Sequence, residues 1–75
     1  MRETAPSNLE ESILGFGRSW YKYGGGSEED IYVQFGLSAR SYFERLAVLL
    51  DGPAASGIDE PTLHTMRAVC ATRLR

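Results

Sequence analysis

Positive charge, sulfur and long apolar runs are all scarce in this 75-residue chain. Eight lysines and arginines stand against ten aspartates and glutamates, for a formal net charge of −2. Tight sequence-independent binding to nucleic acid needs clustered positive charge, so the composition excludes a simple polycationic binder. Cys70 is the single cysteine. It has no partner for an intrachain disulfide and no second cysteine to complete a metal site. The absence of disulfides fits a reducing cytoplasm, which is the expected location. No apolar run approaches the roughly 20 residues needed to span a membrane, so no membrane association is expected. The polar, acidic start MRETAPSNLEES does not read as a signal peptide.

Catalytic groups are equally sparse. His64 is the only histidine. On one helix it would project about 240° away from Cys70, which rules out a nucleophile–base pair. The run Gly24-Gly25-Gly26 lacks the Gly-x-x-x-x-Gly-Lys pattern and a preceding strand, so it is not a phosphate loop. There is no strand pattern and no internal repeat. No enzyme activity, cofactor or metal is expected.

What is present is helical patterning. Residues 1–6 read as a flexible tail and residues 7–75 as one domain. That is near the lower size limit for an independent core, where a partner subunit often helps. Ser7-Asn8-Leu9-Glu10 has the form of a capping box. Leu9, Ile13, Phe16 and Trp20 then form a narrow apolar stripe, with Leu14 and Tyr21 along its flank. Gly15 and Gly17, unfavourable within a helix, predict close backbone packing. The glycine run after Tyr23 ends this first helix.

Ser27 caps the next helix, and Glu28, Glu29 and Asp30 suit its positive end. Ile31 and Phe35 face inward. Gly36 predicts a left-handed helix end, Leu37 a plug in the turn, and Ser38 the cap of a third helix. There Tyr42, Phe43, Leu46, Leu49 and Leu50 fall within an arc of about 120°. Arg40, Ser41, Glu44, Arg45 and Val48 occupy the opposite face. Asp51-Gly52-Pro53 stops the helix. A small-residue loop over 54–58 follows, and Asp59 caps a fourth helix with Leu63, Met66, Cys70 and Leu74 inside. The expected fold is all-α: a small bundle of about four helices with a helix-turn-helix over residues 27–50 at its centre.

A DNA-reading helix-turn-helix needs a hydrophobic lock, a turn that admits glycine, and polar groups on the outer face of its second helix. Ile31, Phe35, Leu37, Tyr42 and Leu46 can supply the lock and Gly36 the turn. Arg40 can bond guanine edges or a phosphate, Glu44 can accept from a cytosine amino group, and Ser41 can reach either phosphate or base. Ser38, Arg40, Ser41, Glu44 and Arg45 are therefore the candidate DNA-binding residues, with Lys22 and the C-terminal arginines as phosphate contacts. Tyr32 stands where many such motifs carry a small residue, which implies a wider helix crossing or an outward ring. The competing reading is a helical module that binds a protein partner or a second copy of itself, through Leu14 and Tyr21 or through Val48.

Several segments together resemble a known family. They are Ile13-Leu14-Gly15-Phe16, Trp20-Tyr21-Lys22-Tyr23-Gly24-Gly25, the helix to Phe35, Leu37-Ser38-Ala39-Arg40-Ser41-Tyr42-Phe43 and Leu49-Leu50-Asp51-Gly52-Pro53. The pattern is similar to that of small actinobacterial and actinophage proteins of uncharacterised function. It covers roughly Ile13 to Pro53, with an echo at Glu60-Pro61-Thr62-Leu63. The resemblance implies a helix-turn-helix regulator and supplies no catalytic or ligand residues. The expectation is thus a small transcription-related DNA-binding protein acting as a dimer.

Overall fold

The computed structural model describes residues 8–75. The expected tail over 1–6 and the Ser7 cap lie outside them. Four α-helices follow one another: α1 (Asn8–Trp20), α2 (Glu28–Phe35), α3 (Ala39–Leu50) and α4 (Glu60–Arg73). Short 3-10 turns at Tyr21–Tyr23 and Pro53–Ala55 sit in two of the connections. No strand occurs among the described residues, so the chain is a small all-α fold.

Local chemistry sets the helix starts. The Ser27 hydroxyl accepts from the Asp30 N–H at 3.0 Å, and the Ser38 hydroxyl from the Ser41 N–H at 3.1 Å. Each satisfies a donor that the first turn leaves without an intrahelical partner. At α4 the Asp59 carboxylate accepts from both the hydroxyl and the N–H of Thr62. The hydroxyl bond first, and the N–H bond next, hold this carboxyl below its ordinary range. Gly36 ends α2 at φ 71°, its N–H bonded to the Tyr32 carbonyl. The 54–58 segment is more structured than a plain loop: the Pro53–Ala55 turn runs into it, and Ala55 is buried.

α3 is the central element, packing against α1, α2, α4 and the Pro53–Ala55 turn. Its Tyr42, Phe43, Leu46 and Leu50 are buried together with Ile13, Ile31, Met66 and Cys70. Tyr42 is the hub. Its ring stacks on Phe35 at 5.4 Å between centroids and meets Phe16 and Phe43 edge-on at 5.5 and 4.8 Å. Phe16 also meets Phe35 edge-on at 5.3 Å. One ring from each of α1, α2 and α3 thus forms a mutual contact, each pair worth about 1 kcal/mol beyond its buried area. The buried Tyr42 hydroxyl donates to the Ile13 carbonyl at 3.5 Å. Burial first, and the nearby Cys70 thiol second, push its pKa well above the ordinary tyrosine value.

The glycine expectations divide. Gly17 is buried, and a Cβ there would lie 3.0 Å from Met66 and 3.1 Å from Leu46, so α1 approaches α3 and α4 closely at this point. Gly15 instead faces open space, because it lies on the side of α1 away from that contact. Leu9 is 39% exposed. The core contact of α1 begins one turn later, at Ile13.

The run Gly24–Gly26 is a built corner. Its three residues have φ of 87°, 100° and 96°, which L side chains rarely adopt. A Cβ on Gly25 would come within 2.9 Å of Phe43 and Val69, and one on Gly26 within 2.7 Å of Phe16. Arg73, at the far end of α4, donates from Nη1 to the carbonyls of Gly24 and Gly26, both at 2.8 Å. Its guanidinium lies 4.6 Å from the centre of the Phe43 ring. The corner, α3 and α4 are clamped at one point.

Candidate nucleic-acid interface

With the inner arc of α3 locked by aromatic rings, its other side is left to solvent. Arg40, Glu44, Arg45 and Val48 are exposed there and Ser41 is half-buried. The inner arc matches the expectation at Tyr42, Phe43, Leu46 and Leu50, while Leu49, expected inside, is half-buried at its edge and borders the outer face. The face is also concave. Ser41, Glu44, Arg45, Val48 and Leu49 of α3, with Glu10 and Ile13 of α1, line an open groove of about 440 Å³.

The polar groups of this face are arranged in a definite way. The Arg40 Nε lies 3.3 Å from Oε2 of Glu44, one turn along the helix, with both side chains more than half exposed. Such a pair contributes only about 0.3–0.5 kcal/mol in water, so a phosphate or base edge can displace it at little cost. Arg45 stands one residue further round, on the groove side. The Ser38 hydroxyl is committed as an acceptor to the Ser41 N–H, and its proton remains a donor for an anion at the start of α3. Arginine donors with a hydroxyl and a carboxylate beside them are groups able to bond base edges, phosphates or the polar groups of a protein.

Other expected contributors are not brought here. Lys22 is exposed, but the Tyr21–Tyr23 turn that carries it packs on α1 and α4, and Lys22 does not line the groove. Two of the C-terminal arginines have internal roles. Arg73 holds the glycine corner. Arg67 donates from Nη2 to the Leu50 carbonyl at 3.1 Å and pairs with Asp51 at 3.2 Å, capping the negative end of α3. Arg75 is exposed.

The partner-interface residues also separate. Leu14 and Tyr21 are half-buried and packed against the core. Tyr21 faces a crevice shared with Gly17, Tyr42, Phe43 and Met66, so it serves the interior. Val48 is 71% exposed. Tyr32 resolves its ambiguity by pointing outward, 65% exposed. Sequence reasoning missed Glu10 as a groove wall, and Val33, which is 78% exposed.

Among the described residues, no group of three or more His, Cys, Asp or Glu residues is placed to hold a metal ion, and no helix is long and apolar enough to cross a membrane. Cys70 is buried, which pushes its thiol up to about 11, so it stays protonated and unreactive near neutral pH. His64 is exposed on the same helix.

No curated protein and no solved structure matched the chain. A family described as protein of unknown function, DUF3263, matched over residues 6–75. With nearly its whole length inside that match, the chain belongs to the DUF3263 family.

Proposed function

We propose that this protein is a small transcription-related DNA-binding regulator of helix-turn-helix type, with α3 as the helix that enters the major groove. The observation that carries the reading is the two-sidedness of α3. One side is immobilised by the Phe16–Phe35–Tyr42 ring contacts, and the other presents Arg40, Ser41, Glu44 and Arg45 to solvent. Rigid support under a polar recognition surface is what base readout requires. Arg40 and Arg45 would bond guanine edges or phosphates, Glu44 would accept from cytosine, and Ser38 and Ser41 would fix the helix start on the backbone.

The acidity of the chain does not oppose this as strongly as its total suggests. Glu28, Glu29 and Asp30 of α2 alone exceed the net charge of −2, so the remainder carries a formal charge of +1. None of the three lines the α3 groove. The expected affinity is modest and depends on few phosphate contacts. A two-fold dimer would set two copies of α3 one DNA turn apart and double those contacts.

Fluorescence anisotropy with labelled genomic duplexes tests the reading. Binding at low salt should weaken as salt rises, with a slope set by those few phosphate contacts. Arg45→Ala and Arg40→Ala should each weaken it about tenfold, the loss of one good arginine contact. Absence of binding at low salt overturns it.

One observation favours a second reading. Val48 is an exposed branched apolar residue at the end of the same groove, whose floor includes Ile13. A protein segment laid in that groove would cover both. The reading predicts that Val48→Asp abolishes a protein complex and leaves the fold intact.

A further inference from the structure

α2 is the least covered helix of the bundle. It packs chiefly on α3, with Ile31 buried and Phe35 half-buried as its inward line. At about 100° per residue, Val33 stands opposite that line, Glu29 sits one turn before it, and Tyr32 and Asp30 lie on either side. Val33 and Tyr32 are 78% and 65% exposed, among the most exposed large apolar side chains described. Two such residues side by side on one short helix are a local apolar patch, unlike apolar residues scattered singly.

The charge around that patch has one sign. Glu28, Glu29 and Asp30 share its first turn, and the helix sequence EEDIYVQF contains no lysine or arginine. None of the three carboxylates is ion-paired among the described residues. The rest of the chain carries a formal charge of +1, so the acidity is concentrated here.

We propose that the outer face of α2, centred on Tyr32 and Val33, docks a basic amphipathic segment of a partner protein. Apolar side chains of that segment would cover the Val33 and Tyr32 surfaces, and its lysines or arginines would meet Glu28, Glu29 and Asp30. Charge complementarity selects this occupant. Nucleic acid and anionic lipid are repelled by three adjacent carboxylates. A second copy of the chain offers a weaker complement: its exposed cations Arg18, Lys22, Arg40, Arg45 and Arg75 are spread over four different segments rather than set along one amphipathic helix face. The site is separate from the α3 groove and does not depend on the DNA reading.

The test uses the full chain labelled with 15N. It is titrated with a synthetic helical peptide of lysine and leucine in amphipathic register, and with a lysine-only peptide of equal charge. The proposal expects amide shifts centred on residues 28–34 with the first peptide and about tenfold weaker binding of the second. Val33→Ser, which alters an exposed residue and should leave the amide spectrum folded, is expected to weaken the first peptide about tenfold. Glu29→Gln should weaken it in a salt-dependent manner. Equal binding of both peptides, shifts centred elsewhere, or no binding of the lysine–leucine peptide overturns the proposal. Self-association of the chain alone that Val33→Ser abolishes would assign the face to a second copy and likewise overturn it.

Discussion

Two glycine turns bracket α2, and both hold positive φ, yet their surroundings have little in common. At the first, Gly25 and Gly26 are buried against Phe16, Phe43 and Val69, and the Gly24 and Gly26 carbonyls are bonded by Arg73. At Gly36 a Cβ would meet nothing within 4 Å. The first turn needs glycine for conformation and for space; the second needs it for conformation alone. The entry of α2 is therefore tied to the whole bundle, through α1, α3 and α4 at once. Its exit is only redirected, and the direction of α3 relative to α2 is held by the Phe35–Tyr42 stack. The architecture is fixed on the glycine-corner side, which leaves the outer faces of α2 and α3 available for contacts beyond the chain.

Substituting the glycines separates the two turns most sharply. Gly25→Ala combines a left-handed side chain, costing about 1–2 kcal/mol, with overpacking against Phe43 and Val69, costing about 1–3 kcal/mol. The sum is a large part of the stability of so small a domain. Denaturant unfolding should show a lowered midpoint or no folded baseline. A change under about 1 kcal/mol would mean the corner relaxes freely and would break the comparison.

Arg73→Met probes the clamp without touching the glycines. It keeps much of the apolar stem and removes two charge-assisted bonds and the stacking on Phe43, an expected loss of about 2 kcal/mol. Thermal unfolding reads this directly, and an unchanged midpoint would mean the corner is held by packing alone. The smallest effect belongs to Gly36→Ala, about 1 kcal/mol from the positive φ with no steric contribution. Its unfolding midpoint should shift least of the three, and Gly36→Asn less still, since asparagine tolerates that conformation.

These contrasts also mark what the sequence could reveal. Ser27, Ser38 and Asp59 were legible as caps, and Gly36 as a left-handed helix end, because each acts within a few residues of itself. The two faces of α3 were legible because a buried arc leaves a periodic trace. The role of Arg73 was not. Its bond to Gly24 joins residues 49 positions apart, and in sequence it resembles any basic residue at a helix end. The same limit hid the tie of Arg67 to Leu50 and Asp51, since a phosphate contact and an internal tie use the same residue types. Glu10 on the groove wall depends on the rotation of α1, to which the close approach at Gly17, seven residues further on, contributes. Local rules gave the elements; which cations remained free required the packing.

The central claim is that the outer face of α3 reads DNA while the glycine corner only supports it. Amide shift mapping of the 15N-labelled chain, titrated at low salt with a short genomic duplex that it binds, tests both halves at once. The account predicts shifts concentrated over residues 38–48, with Gly24–Gly26 and the Arg73 end of α4 little changed. Shifts centred on α2 or on the end of α4, with residues 38–48 silent, would contradict it.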